Sequence, residues 1–242
     1  MTLNRETEIT WLGHATILVR TPGGKRLLID PWTIGNPACP ESWKDPAALG
    51  ALDLVLVTHI HSDHVGDIQP VLAANPNAEV VGIFEACNWL QTKGAKSVRP
   101  MSKGGTQSVA GVQITMTDAN HSSSFTEDDG TVIYGGEPAG YVLKLENGFT
   151  LYAAGDTGLF GDMALICHLY RPELAFLPIG DLFTMGPVQA AHAIRLLHVR
   201  HVVPIHYGTF PALTGTPEQL RDLTRDITGL SVHALKPGAS LR

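Results

Sequence analysis

The sequence predicts an α/β fold, and three observations predict it. Residues 52–57 form an apolar, partly β-branched run of strand length, which reads as a strand buried on both faces of a mostly parallel sheet. In the second half of the chain strand-like runs alternate with helix-like ones, the order that lays helices on a sheet. A length of 242 residues, 44% of them hydrophobic, suffices for one substantial core, so residues 1–242 are expected to form a single domain.

Taken in order, residues 9–12 and 16–19 read as strands, and the turn at Thr21, Pro22, Gly23 and Gly24 sends the chain back through a strand at 26–29 closed by Asp30 and Pro31. Residues 33–50 carry Pro37, Pro40 and Pro46 and read as a long loop with at most one helical turn, placed to overhang the mouth of the next strand. Strand 52–57 leads into a helix running to about residue 74, with Asp63 in its first turn, where the helix dipole favours negative charge. A turn at Asn75, Pro76 and Asn77 is followed by a strand at 79–84, a helix at 85–93 stopped by Gly94, and a short edge strand at 97–100, since Pro100 cannot donate to a ladder. Two hairpins come next, 106–109 with 112–117 and 140–145 with 149–154; the second turns at Asn147 and Gly148, a pair that favours a tight turn. Between them, Asp128, Asp129 and Gly130 read as a charged loop tip. The last third reads as a helix at 160–168, a buried strand at 174–179, a loop at 180–186, a helix at 187–198 with proline in its first position, a strand at 201–206, a helix at 217–227 and a strand at 230–235.

Composition excludes several functions. The formal charge is −6 and no basic run is present, whereas a polyanion surface needs clustered Lys and Arg, so no nucleic-acid partner is expected. No apolar run is long enough to span a bilayer. Arg5, Glu6 and Glu8, with Gly13 and His14 breaking the apolar stretch that follows, do not make a secretory leader. The three cysteines, Cys39, Cys87 and Cys167, are widely spaced and form neither a disulfide framework nor a paired metal motif, which fits a reducing cytoplasm. Oligomeric state is not legible in the sequence.

The chemistry sits at the end of strand 52–57. His59, His61, Asp63 and His64 place three imidazoles and one carboxylate in six consecutive positions. These are ligands for zinc and its neighbours, and such density has little structural use. Their position is the C-terminal mouth of a core strand, where sites in open α/β sheets collect. His59 and His61, two apart in extended backbone, suit one ion; Asp63 and His64, past the bend, suit a second. Three further strands end in a ligand-type residue, at His121, Asp156 and His206. His121 would complete the first set, His206 the second, and Asp156, with two oxygens, would bridge them. Any of the three alone is more often a satisfied polar residue; the dense motif is what changes the reading. The remaining histidines, within helices or at strand starts, read as solvated or core residues.

At this point the chain resembles the metallo-β-lactamase superfamily, through the motif His59, His61, Asp63, His64 followed by His121, Asp156 and His206. Further stretches, among them Gly13-His14-Ala15, Asp30-Pro31, His121-Ser122-Ser123, Gly180-Asp181, Thr184-Met185-Gly186-Pro187 and His206-Tyr207, resemble the small prokaryotic metal-dependent hydrolases of that superfamily, related to lactonase and phospholipase D-type branches. The resemblance implies a four-layer αβ/βα sandwich with a dinuclear site in the cleft between the sheets.

The expected function is hydrolysis of a small ester, lactone or phosphodiester by a water shared between two divalent ions, with Asp63 orienting it and accepting its proton. Zinc suits the donors best, and manganese, iron, nickel or cobalt also fit them. Asp30 is expected either to steady a ligand imidazole or to terminate its strand as a turn. His14 is expected either to touch substrate or to be a buried structural histidine. Asp181, Thr184, Met185 and Tyr207 are candidates for the substrate pocket, with loop capping the alternative for Asp181 and packing the better reading of Tyr207. The rival function is a non-catalytic, metal-stabilised module that binds a ligand or partner.

Overall fold

The computed structural model describes Leu3 and residues 6–242; Arg5, used above to argue against a leader, lies outside the described residues. In chain order the strands and helices are β1 (Glu8–Trp11), β2 (Ile17–Arg20), β3 (Arg26–Ile29), β4 (Leu54–Leu56), α1 (Ser62–Val65), α2 (Ile68–Ala74), β5 (Glu79–Ile83), α3 (Phe84–Thr92), β6 (Ser97–Met101), β7 (Thr106–Val109) and β8 (Val112–Asp118). They continue with β9 (Ser124–Thr126), β10 (Val132–Tyr134), β11 (Ala139–Lys144), β12 (Thr150–Ala153), α4 (Met163–Tyr170), β13 (Leu174–Pro178), α5 (Pro187–Leu197), β14 (His201–Ile205), α6 (Pro217–Thr224), β15 (Ser231–Val232) and β16 (Ser240–Leu241).

Two seven-stranded sheets carry the molecule, in the orders β16-β1-β2-β3-β4-β5-β6 and β15-β14-β13-β12-β11-β8-β7, with β9 and β10 as a separate hairpin. Strand β4 is fully buried and pairs in parallel with β3 and β5, as its apolar run requires. Both sheets are mixed, not mostly parallel, because hairpins join β1 to β2, β2 to β3, β7 to β8 and β11 to β12.

Alternation along the second sheet sorts its side chains between two apolar layers. Tyr141, Leu143, Leu151, Ala153, Phe176, Val203 and Ile205 join the core they share with the first sheet. Val142, Tyr152, Ala154, Ala175, Leu177 and Val202 join a second cluster with the buried faces of α4, α5 and α6. Helices α2 and α3 add Val71, Leu72, Ala86 and Leu90 to the first core. The result is the helix–sheet–sheet–helix layering that the resemblance implies. Each large side chain so buried contributes about 1.5–3 kcal/mol of transfer free energy.

Three ties join the sheets at one end. The Tyr141 hydroxyl donates to Val57 O at 2.7 Å, Ala139 N–H to Thr58 O at 3.0 Å, and His206 N–H to His14 O at 2.9 Å. That end is where the ligand-type residues stand.

The helix expected from Asp63 to about residue 74 is two helices. Asp67 leaves the helical ladder: its N–H bonds Pro31 O at 3.2 Å, and its carboxylate accepts the N–H groups of Thr33 at 2.7 Å and Gly35 at 3.1 Å. Residues 33–50 hold two short 3-10 turns, Glu41–Trp43 and Pro46–Leu49. The charged tip at 128–130 closes the β9–β10 hairpin, which was not read from the sequence. The strand expected at 230–235 shortens to Ser231–Val232 because Leu235 N–H folds back onto His233 O at 3.0 Å. The chain then crosses to the first sheet, where β16 pairs with β1.

Candidate metal centre

The candidate ligands all stand just beyond strand ends at the tied edge of the two sheets. His59, His61, Asp63 and His64 follow β4, His121 follows β8, Asp156 follows β12 and His206 follows β14. His59 Nε2 lies 2.9 Å from His61 Nδ1, and His121 Nε2 lies 3.3 Å from the same atom. Two nitrogens held by one tetrahedral zinc at about 2.0–2.1 Å would stand roughly 3.3 Å apart. On the other side, Asp156 Oδ2 lies 3.0 Å from His206 Nε2 and 3.3 Å from His64 Nε2. It is also 3.7 Å from His121 Nε2, so Asp156 touches both sets. His59, His61 and His121 form one group able to hold a cation, His14, Asp63, His64 and His206 form another, and His59, His64 and Asp156 form a third between them.

Several of these atoms have no other use. His64 Nε2, both ring nitrogens of His206 and Asp156 Oδ1 are buried without a hydrogen-bond partner. His206 Nε2 approaches Asp156 to 3.0 Å, yet the two are not aligned as donor and acceptor. Buried lone pairs and a carboxylate that converge without bonding one another are costly unless positive charge stands among them. A divalent cation would supply it, and an imidazole–carboxylate donor set suits zinc and its neighbours.

The electrostatics agree. Burial opposes charge on His64, but Asp156 and Asp30 on either side prevail and hold its pKa well above the ordinary histidine value, marking a place that favours a positive charge. Burial pushes Asp156 up, but the imidazoles of His206 and His64 hold it well below the usual carboxylate range. Burial, with the neighbouring imidazoles, lowers His59, His61 and His121. Burial of Asp63 is outweighed by His14 and His64, and its carboxyl is also lowered.

Asp30 ends its strand without an Asx turn, because its carboxylate is spent on Thr58 and His64. It takes a left-handed backbone, φ 51°, at the end of β3. Its carboxylate accepts His64 Nδ1–H at 2.9 Å, the Thr58 hydroxyl at 2.8 Å and Thr58 N–H at 2.8 Å. The Thr58 hydroxyl also lies 3.0 Å from His59 Nδ1. One buried carboxylate thus steadies two candidate ligand imidazoles, the first directly and the second through Thr58. His14 is fully buried, with Nε2 at 3.0 Å from Asp63 Oδ2 and Nδ1 at 3.0 Å from Thr209 Oγ1. Burial lowers its pKa to about 4 against the pull of Asp63.

Not every candidate is brought to this cluster. The Met185 side chain is buried in the apolar layer beneath α5, and only its N–H reaches back, to Thr157 O at 3.0 Å. Asp181 is exposed and caps its own loop by accepting Leu182 N–H at 2.9 Å. The Thr184 hydroxyl bonds Met185 O at 3.3 Å. Tyr207 stacks on Trp11, ring centroids 5.2 Å apart, and burial pushes its hydroxyl up to about 12. Large side chains near the mouth that were not singled out are Trp32 and Phe210, both edge-on to His14. Thr58 and Asp67, beside the dense motif, were legible by position; Thr209, which meets His14 across the fold, carries no local signal.

Known proteins with similar sequences and folds extend this picture. A family model described as a beta-lactamase superfamily domain matches residues 25–207. A UPF0173 metal-dependent hydrolase from Roseiflexus castenholzii is 50% identical over 99% of each chain. Another from Rubrobacter xylanophilus is 52% identical over 97% of this chain and 96% of its own. Among solved structures, Igni18, a metallo hydrolase from the archaeon Ignicoccus hospitalis, superposes with a TM-score of 0.84 at 34% identity, covering 97% of both chains.

Proposed function

Because the chain belongs to the UPF0173 metal-dependent hydrolase family of the β-lactamase superfamily, we propose that it is a dinuclear enzyme that hydrolyses a small ester, lactone or phosphodiester. The observation that carries this is the convergence of two histidine-rich groups on either side of Asp156. His59, His61 and His121 would hold one divalent ion and Asp63, His64 and His206 the other, with Asp156 shared between them. Zinc is the ion the donor set suits best. Two bound cations supply Lewis acidity and an activated water at neutral pH.

The chain's own groups divide the remaining work. His59, His64, His206 and Asp156 are closed off from solvent, while Asp63 is 29% exposed and His121 13%. Substrate therefore enters on the side of Asp63, His61 and His121. Asp63, charged and on the open side, would orient the water and accept its proton. Asp30 and Thr58 keep the imidazoles of His64 and His59 in ligating tautomers, so the donors need no rearrangement as substrate arrives. The described residues are read as a single domain, since one apolar core runs through both sheets.

The test is a panel of chromogenic esters, lactones and phosphodiesters, assayed with zinc, after chelation, and after zinc is restored. Turnover of one class, lost on chelation and recovered with metal, is expected, with Asp156→Ala losing both metal and activity. A fully loaded chain inert on every class would favour the non-catalytic module. Asp156→Ala with two ions and full turnover would remove the bridging role.

A further inference from the structure

We propose that His14 is a positioning residue of the metal centre: its Nε2–H holds the Asp63 carboxylate in one orientation, and Thr209 holds the ring in the tautomer that allows it. This rests on the reading of Asp63 as a ligand given above.

The backbone fixes the ring before any side-chain contact is counted. Gly13, at φ 97°, and His14, at φ 52°, turn the chain out of β1 through two successive left-handed conformations. A non-glycine residue there is strained, and such strain persists only where the surroundings enforce it. Here the His14 carbonyl accepts two hydrogen bonds, from the Trp11 indole and from His206 N–H, each at 2.9 Å. The turn is therefore tied to a ligand on the opposite sheet. The ring is walled in by Trp32, edge-on at 5.1 Å, and Phe210, edge-on at 5.8 Å, and lies 3.9 Å from the His206 ring centre to centre. It cannot turn away without displacing one of them.

The hydrogen bonding then assigns the proton. An ionised carboxylate only accepts, so the nitrogen aligned with Asp63 Oδ2 at 3.0 Å carries hydrogen. Nδ1 is left facing the Thr209 hydroxyl at 3.0 Å, which is able to donate to it. This geometry differs from that of His206 and His64 at Asp156. His206 Nε2 and His64 Nε2 approach Asp156 without forming a hydrogen bond, as atoms sharing an ion do. His14 forms one with the Asp63 carboxylate, and its other nitrogen is taken up by Thr209. It is to Asp63 what Asp30 is to His64. Asp63, at 29% exposure, is open to water that would compete for its oxygens.

The test compares zinc affinity in wild type, His14→Leu, His14→Gln, Thr209→Val and Thr209→Ser, each checked for folding by circular dichroism. Zinc-loaded wild type also has its His14 ring nitrogens read by 15N NMR. His14→Leu is expected to weaken the second zinc by about 10–100-fold. His14→Gln, which keeps an N–H at the reach of Nε2, should recover most of the loss, Thr209→Ser should match wild type, and Thr209→Val should fall between. The spectrum should show the proton on Nε2. Unchanged affinity in His14→Leu, no rescue by Gln in a folded protein, or a proton on Nδ1 would overturn the assignment. So would scalar coupling of His14 to cadmium placed in the site, which would make it a ligand. Any of these with two ions bound to wild type overturns the His14 role alone; wild type that takes up fewer than two ions overturns the dinuclear reading with it.

Discussion

Asp30 shows how much of the candidate centre stands behind the proposed ligands. Its carboxylate takes three hydrogen bonds, from His64 and twice from Thr58, at 1% exposure. Asp30→Ala removes all three and leaves a buried N–H and hydroxyl at Thr58 to find other partners, a penalty of about 1–3 kcal/mol for each left unsatisfied. Metal affinity is expected to fall by about 10–100-fold, read by zinc titration, while Asp30→Asn should lose less because one oxygen remains. Unchanged zinc binding in Asp30→Ala would mean that His64 is held by other contacts. At this scale legibility followed distance along the chain. His59, His61, Asp63 and His64 stood out as candidates because ligand-type residues that dense have no packing purpose. Asp30 was visible but ambiguous, since an aspartate before proline also ends a strand. Met185 misled, because a loop position on the ligand side does not say which way a side chain faces; it faces the apolar layer. Thr209 could not be read at all, its partner His14 being 195 positions away.

Between residue and fold stand the strand ends that aim each ligand. Gly155 joins β12 to Asp156 at φ 63°, and a Cβ there would lie 2.9 Å from Thr58 Cβ and 3.0 Å from Ala139 O. Gly155→Ala combines a left-handed penalty of about 1–2 kcal/mol with that collision, which neither the backbone of β11 nor the residue beside His59 can easily relieve. It is expected to lower the urea midpoint and to reduce bound metal together, because Asp156 moves with its neighbour. Full metal content at unchanged stability would contradict this. Elements with a strong period or a turn signature were legible: β4 by its apolar run, β7–β8 and β11–β12 by their glycine turns, α5 by its leading proline. Those set by distant partners were not. The chain breaks between α1 and α2 because Asp67 answers Thr33 and Gly35 in place of its own helix. Strand β16, two residues long, exists because β1 offers it an edge.

Across the whole molecule, the two sheets each contribute half of a site that neither holds alone. The first sheet carries the dense motif, Asp30 and His14; the second carries His121, Asp156 and His206. The layering was legible as α/β from the alternation in the second half and as a sandwich only through the family resemblance, because parallel and antiparallel pairing is decided by connections that periodicity does not encode. Closure of the sheets on each other through Tyr141, Ala139 and His206 is what turns separate strand ends into one centre. The most direct test of that convergence is anomalous diffraction at the zinc edge from crystals of the zinc-loaded chain. Two peaks are predicted, one among His59, His61 and His121 and one among Asp63, His64 and His206, with Asp156 between them. A single peak, or zinc bound away from these residues, would contradict the account.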